Sequence, residues 1–364
     1  MFNWLNKVTR SDWLLVAAIS LLLILSLVLI YGISLNDPTS NYYLFKKQVL
    51  FVFLAVVGFL IVSQINYRFW QTFSKLFYWL GATVLTGVLI FGATIRGTTG
   101  WISIAGFAIQ PVEFAKIALI IFLAYYFSRY AREFFLWRHV IVSGLGAMIL
   151  VGLVLIQPDL GSAMVMFATW FLMLLIVGIR RSHLAVLIAL VLVTVFVSWF
   201  FVLADFQRNR IMTFINPQAD PLGSGYNVSQ SIIAVGSGQL FGRGFGLGSQ
   251  SQLHFLPEPG TDFIFAVLAE EFGFIGVIVL LGLYALLIYR LIRLSQRSQD
   301  NFVTYFCLSL VAMLLVQLFI NIGMNMGVAP VTGIPLPMVS AGGSSLLATV
   351  WGLAIANSMV IDRQ

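Results

Sequence analysis

His254-Phe-Leu-Pro-Glu-Pro-Gly-Thr-Asp-Phe-Ile-Phe-Ala-Val-Leu-Ala-Glu-Glu-Phe-Gly-Phe-Ile-Gly276 is a polar loop that turns into a long apolar run. Thr261 is an N-cap residue by type, and Asp262 follows in the first turn, where the helix dipole favours a negative charge. The run behind them is long enough to cross a bilayer. Asp262 is therefore expected at a membrane–water boundary, beside Glu258 and below a long polar loop. A carboxylate fixed there is a candidate catalytic base; the plainer reading is that Asp262 only caps its helix.

Composition sets the setting for that helix. The chain has 364 residues, 60% of them hydrophobic and 9% charged, with a mean hydropathy of +0.99. Soluble domains carry roughly 25% charged residues, so this chain cannot cover a water-exposed surface and is expected to be polytopic in a membrane. The net charge of +7 is scattered rather than gathered in a patch, which speaks for basic loops and against nucleic acid. The single cysteine, Cys307, lies in an apolar run, so no intrachain disulfide or cysteine metal site can form. His139, His183 and His254 share no metal-ligand spacing.

The apolar runs divide the chain. Trp13 opens a first run that ends near Gly32, too long for a signal-peptide core and without a small-residue cleavage site. A loop with a turn at Asp37-Pro38 follows. Further spans are expected at about 48–65, 76–95, 112–128, 139–157, 160–178 and 184–203, then near 262–289, 302–323 and 341–360. The expected fold is a single all-α polytopic membrane domain of ten transmembrane helices, with one long extracytoplasmic loop at 204–261. With both termini cytoplasmic, the inner loops receive Lys7, Arg10, Arg68, Lys75, Arg129, Arg132, Arg138, Arg180, Arg181, Arg290, Arg293, Arg297 and Arg363. The short outer loops receive Lys46, Lys47 and Arg96, which is the asymmetry the positive-inside rule requires. The opening turn of the Asp262 helix then faces outward.

Polar residues at the ends of spans mark functional positions. Glu113 and Lys116 stand three apart and can pair, either as a structural link or as a substrate contact. Gln157-Pro-Asp159 reads as a tight outer turn. Glu270 lies about 12 Å below Asp262 and about 80° around the helix, and Glu271 points to the opposite face, so helix–helix hydrogen bonding is their expected role. Arg208, Arg210 and Arg243 put three guanidiniums near one membrane face and suit a diphosphate or a lipid headgroup. The glycines of Gly236–Gly248 follow no strand, so a dinucleotide fold does not explain them. Asn227-Val-Ser229 has the glycosylation pattern, a three-residue match that is common by chance.

Several of these stretches together resemble the shape, elongation, division and sporulation (SEDS) glycosyltransferases. The resemblance runs in order through Gln110-Pro-Val-Glu-Phe-Ala-Lys116, Gln157-Pro-Asp-Leu-Gly-Ser162, Asn216-Pro with Asp220-Pro and Gly225-Tyr-Asn227, Leu256 to Glu271, and Pro330 to Ser345. It covers nearly the whole chain. Gln250 to Glu258 and Thr332 to Pro337 look like the rod-shape (RodA) branch rather than the division (FtsW) branch. The resemblance implies ten transmembrane helices and polymerisation of lipid II into glycan strands outside the cytoplasmic membrane, for elongation and rod shape. It implies a class B penicillin-binding protein as transpeptidase partner. Asp262 matches the catalytic carboxylate; Glu113, Lys116 and Asp159 match polar positions of the central cavity. Trp101 and Glu258 join them as expected substrate contacts, with Arg208, Arg210 and Arg243. The chain departs from the family at Gly100, where an arginine is common, at Gly260, where histidine is common, and at Ala341, where tyrosine is common. The loss of a cation at position 100 removes one expected diphosphate contact.

The chemistry such a site must perform is simple. A donor sugar on a diphosphate lipid already carries a good leaving group, whose charge calls for cations rather than a proton donor. One carboxylate then suffices, unlike the acid–base pair of glycoside hydrolases. Asp262 would take the proton of the acceptor's 4-hydroxyl as that oxygen attacks the anomeric carbon, with inversion. No cofactor is required, although a divalent cation such as Mg2+ could assist. A lipid flippase would need cations along a path through the core, and a scaffold would tolerate loss of Asp262; both remain as alternatives.

Overall fold

The computed structural model describes residues 10–35, 42–95, 98–104, 107–201, 203, 205–216, 223–253 and 255–362. Lys7, Arg96, His254 and Arg363 fall outside them. Among the described residues ten helices are long and apolar enough to cross a membrane. In chain order these are α1 (Trp13–Leu35), α2 (Tyr43–Val62), α4 (Ser74–Phe91), α5 (Pro111–Tyr130), α6 (Trp137–Ile156), α7 (Leu160–Val177), α8 (Arg181–Phe201), α12 (Ile264–Arg297), α13 (Asn301–Asn325) and α14 (Gly343–Ile361). The short α3 (Tyr67–Thr72) lies between the second and third spans, and α9 (Asp205–Ile215), α10 (Ser224–Ser237) and α11 (Ser249–Gln252) lie between the seventh and eighth.

The spans follow the apolar runs, with two differences that matter for the site. First, α2 begins at Tyr43, five residues earlier than the run at 48, so Lys46 and Lys47 sit in its first turns rather than in a loop. Lys46 is exposed, and its long stem can carry the ammonium outward, whereas Lys47 is half-buried. Second, residues 93–109 are not a plain loop. They form a three-stranded antiparallel sheet of β1 (Ala93–Ile95), β2 (Thr98–Ile104) and β3 (Phe107–Ile109), with Trp101 on its central strand.

Burial is uneven among the helices. α5, α13 and α14 form the centre, while α8 stands at the periphery with His183 its one buried residue. One apolar core joins α1, α2, α5, α12, α13 and α14, and a second joins α4, α5, α6 and α7, with α5 shared between them. Between α13 and α14 the chain at 326–342 turns back into the bundle without helical structure, burying Ile334, Leu336, Met338 and Val339. Irregular backbone at this depth needs internal hydrogen-bond partners. Ser26 of α1 donates to the Val339 carbonyl at 2.7 Å, and the Tyr284 hydroxyl of α12 donates to Pro337.

α12 is two segments that meet at Gly273, whose φ of 64° breaks the helix. The apolar sequence Phe272-Gly-Phe274 reads as continuous, so the break is not visible in hydropathy. The amides freed there are met by the glycine-rich loop: Phe274 and Ile275 N–H donate to the Gln239 and Leu240 carbonyls at 2.9 and 3.2 Å. A Cβ on Gly242 would stand 2.1 Å from the Glu271 carbonyl oxygen, so that loop position can only be glycine.

Candidate active site

Asp262 sits just before α12. The helix starts two residues later than the Thr261 cap would set it, with Phe263 at the cap and no side-chain bond from that residue. Thr261 is engaged elsewhere: its carbonyl accepts from Ser340 Oγ at 2.6 Å, and its hydroxyl turns toward Glu258 Oε2 at 3.3 Å. The capping acceptor comes from another helix. Asn325 of α13 accepts from the Ala266 amide through Oδ1 at 3.2 Å, so a long-range side chain does what the local sequence suggested Thr261 would do.

The same asparagine fixes the backbone of Asp262. Asn325 Nδ2 and Asn321 Nδ2 both donate to the Asp262 carbonyl, at 3.0 and 3.2 Å. Asn321 also donates to Ile334 O at 2.8 Å, tying in the buried 326–342 segment, and Ser231 of α10 donates to the Asn325 carbonyl at 2.9 Å. Both asparagines are fully buried, where unmade hydrogen bonds are costly, so the anchoring of Asp262 is stiff. On the other side of the turn, Glu258 has a φ of 49° and its carbonyl accepts from Thr261 N at 3.2 Å. A tight turn held at both ends thus presents the half-buried Asp262 side chain.

That side chain borders a cavity of about 380 Å³. The residues expected at the site divide here. Trp101, Glu113, Asp159, Arg210, Glu258 and Asp262 line the cavity together. Lys116 lies behind the wall, fully buried, donating to Glu113 Oε1 at 2.8 Å. Arg208 is not on the lining and donates to the Phe200 carbonyl at 3.1 Å. Arg243 is also off the lining: its guanidinium donates to Ser249 at 2.8 Å and its amide to the Glu270 carbonyl at 2.9 Å. Asp159 has a structural task as well. Its Oδ1 caps α7 through Ser162 N at 2.9 Å, and its Oδ2 accepts from Gln110 Nε2 at 3.1 Å. Of the departures from the family pattern, Gly260 and Ala341 pair through their backbone, with Ala341 N donating to Gly260 O at 2.7 Å.

Glu270 and Glu271 are absent from the lining, in keeping with their angular offset from Asp262. Their partners, however, lie on the segment between the seventh and eighth spans rather than on another spanning helix. Glu270 accepts from Gln250 N at 2.8 Å, Ser251 N at 3.2 Å and Ser249 Oγ at 3.3 Å, which caps α11; Glu271 Oε1 accepts from Gln252 at 3.4 Å.

Other cavity residues escaped the sequence reading. Lys47, Gln48, Thr332, Ser344 and Ser345 all line it. Lys47 reads in sequence as one more loop cation, and Ser344 and Ser345 stand at the end of the Pro330–Ser345 stretch with no role of their own. A polar residue in the first turns of an apolar span is the signal for Lys47, Gln48, Ser344 and Ser345; Thr332, in the non-helical segment before α14, lacks it. A second cavity of about 470 Å³ is apolar and bordered by the same two helices, α5 and α14, through Pro111, Phe114, Ala348 and Trp351 among others. Among the described residues no group of three or more His, Cys, Asp or Glu is placed to hold a metal ion.

Known proteins resemble this chain over nearly its whole length. The profile of the cell cycle protein family FtsW/RodA/SpoVE matches residues 9–363. Stage V sporulation protein E of Bacillus subtilis (strain 168) is 37% identical over 96% of this chain and 97% of its own length. Peptidoglycan glycosyltransferase MrdB of Escherichia coli (strain K12) is 36% identical, over 95% of this chain and 94% of its own. The probable peptidoglycan glycosyltransferase FtsW of Trichlorobacter lovleyi is 34% identical, over 96% and 93%. Among solved structures, a chain from a study of the structural coordination of polymerization and crosslinking by a peptidoglycan synthase complex superposes with a TM-score of 0.82 at 31% identity, covering 97% of this chain and 98% of that one. The rod shape determining protein RodA of Thermus thermophilus superposes at 0.71 and 29% identity, covering 97% of each. An all-α multi-pass membrane protein that matches this family from end to end belongs to it: the chain is a member of the FtsW, RodA and SpoVE (SEDS) family of peptidoglycan glycosyltransferases.

Proposed function

We propose that this protein polymerises lipid II into glycan strands at the outer face of the cytoplasmic membrane, with Asp262 as general base. The observation that carries this reading is the pairing of a rigidly anchored Asp262 with a polar cavity that shares two bordering helices, α5 and α14, with an apolar groove. A lipid-linked sugar needs both: a polar chamber for sugar and diphosphate, and a greasy channel for the isoprenoid tail. Asp262 accepts the proton of the acceptor 4-hydroxyl while the new bond forms at the donor's anomeric carbon. The bond to the diphosphate breaks in the same event, and its electron pair leaves with the lipid diphosphate. Arg210 is the cation among the three proposed guanidiniums that borders the reacting groups. Glu258, Asp159, Glu113 and Trp101 line the sugar-sized space, and the buried Glu113–Lys116 pair braces its wall. Mg2+ arriving with the diphosphate would add counter-charge but is not required.

We further propose a role in elongation and rod shape, with a class B penicillin-binding protein as partner. The branch rests on Gln250–Glu258 and Thr332–Pro337, because identities of 37, 36 and 34% to the sporulation, MrdB and FtsW relatives do not separate the branches. The partner is supported by the likeness to a chain of a peptidoglycan synthase complex. Orientation follows the positive-inside rule, with both termini cytoplasmic. A cysteine at the exposed Leu247 should react with an impermeant reagent from outside and one at Gln296 should not, after Cys307 is replaced; equal labelling would refute the orientation. The function itself is tested by glycan synthesis from labelled lipid II by the purified protein, alone and with a class B penicillin-binding protein. Strands are expected, and transbilayer movement of lipid II without strands would favour the flippase reading.

A further inference from the structure

The cavity has a floor as well as a mouth, and the floor is the beginning of a long helix. α14 starts at Gly343 behind Gly342, which offers no side-chain cap, and its first internal bond is Leu346 N to Gly342 O at 2.8 Å. The amides of Gly343, Ser344 and Ser345 therefore have no acceptor within the helix, and the dipole of a 19-residue helix adds partial positive charge there. Gly342, Gly343, Ser344 and Ser345 all line the cavity. A Cβ on Gly343 would stand 2.4 Å from the Phe51 ring, so the bare backbone is a packing requirement at this point.

Four side chains on the lining add to this. Ser345 is 5% exposed, and its hydroxyl is enclosed without a hydrogen-bond partner, which is unusual for a buried polar atom. The Thr332 hydroxyl on the same lining is likewise unpartnered. Ser344 Oγ accepts from Gln110 N at 2.9 Å and keeps its own proton to donate. Lys47 lines the cavity and makes no ion pair among the described residues. Unmet donors, a helix N-terminus and an ammonium group in one wall make a place for a multiply charged anion. Four carboxylates share the lining: Glu113 is paired with Lys116, Asp159 takes hydrogen bonds from Ser162 and Gln110, and Glu258 and Asp262 lie on the turn before α12. A diphosphate here therefore depends on the positive charge of Lys47 and the helix start.

We propose that this wall, formed by the amides and hydroxyls at the start of α14 together with Lys47, is the seat of the donor's diphosphate. The proposal rests on the glycan-polymerising reading and locates one part of its substrate. Ser345 faces the polar cavity while Ala348, one turn on, lines the apolar groove. A diphosphate on Ser345 would thus lie one helical turn from the residues of that groove, where its isoprenoid tail can be accommodated. As the anomeric bond breaks, the charge that develops on the departing diphosphate falls on the helix terminus, and the acceptor's proton goes to Asp262. The seat also supplies positive potential that Gly100 cannot.

The test uses purified full-length protein and farnesyl diphosphate as probe, with farnesol and inorganic pyrophosphate as controls for tail and charge. Binding is followed by tryptophan fluorescence, and folding by thermal unfolding. Ser345→Ala and Lys47→Met should each weaken farnesyl diphosphate binding at least about tenfold, the size expected for one charge-assisted hydrogen bond, and raise the KM for lipid II. Farnesol binding should not change, pyrophosphate should compete in wild type, and Ser345→Thr and Lys47→Arg should restore much of the affinity. Wild-type affinity in both variants would overturn the seat, as would equal binding of farnesol and farnesyl diphosphate by wild type. If wild type still makes strands in either case, the function stands and only the location fails. A wild type that makes no strands would instead remove the reading on which the seat rests.

Discussion

Asp262 and Glu270 are eight residues apart near one helix, and they are in opposite situations. Glu270 is fully buried, with two backbone amides and a hydroxyl on its carboxylate. Asp262 is held through its backbone carbonyl, by two asparagines, and its carboxylate is turned to a cavity. The carboxylate of Glu270 is taken up by the hydrogen bonds of a loop, whereas the backbone of Asp262 has anchors that do not draw on its carboxylate. A carboxylate's role is therefore decided by where its hydrogen bonds come from, and residue type alone does not reveal it. Glu113 and Asp159 combine both features, since each lines the cavity and each has a partner on a helix.

That contrast can be broken by mutation, and the largest effect is expected at the buried pair. Lys116→Ala strands Glu113 in the bundle and should cost about 3–5 kcal/mol, read as lower folded yield and earlier thermal unfolding. Glu113→Gln with Lys116→Met should restore much of the yield. Full yield with complete loss of synthesis in Lys116→Ala would instead make the pair catalytic.

Asn325→Ala comes next. It removes a donor to the Asp262 carbonyl and the acceptor of Ala266 N, so about 1–3 kcal/mol of stability should be lost. Unlike a purely structural change it should also lower kcat more than it raises KM, because a shift of about 1 Å in the base can cost on the order of 10²-fold. An unchanged kcat per folded molecule would show that the clamp does not position the base. Glu270→Ala should cost a similar or smaller amount of stability, about 1–3 kcal/mol, while synthesis per folded molecule stays near wild type. A selective loss of turnover there would erase the distinction between the two acids.

The sequence exposes some of this arrangement plainly and hides the rest for physical reasons. All ten spans are visible because water exclusion demands long apolar runs, and these are continuous from Trp13 onward. Asp262, Glu113 and Asp159 are visible because charge beside such runs is costly. The start of α12 was misjudged by two residues because its cap acceptor, Asn325, lies 59 positions from the Ala266 amide it serves. The break at Gly273 stayed hidden because the loop that satisfies its freed amides is remote in sequence. Arg243 looked like a substrate cation until the fold gave it Ser249. Lys47 and Ser345 carry only the general signal of a polar residue at the start of an apolar span; the approach of α2 and α14 to one cavity is what makes them neighbours.

The central claim is that the Asp262 carboxylate acts as a base and not as a cap. Asp262→Asn keeps the side-chain size and leaves the backbone anchors to Asn321 and Asn325 in place, but removes nearly all basicity. The decisive measurement is strand synthesis from lipid II by wild type and Asp262→Asn at matched folded concentration, with lipid II binding measured alongside. Intact folding and binding with a rate loss on the order of 10²-fold or more is the predicted result. Synthesis by Asp262→Asn at the wild-type rate would contradict the account.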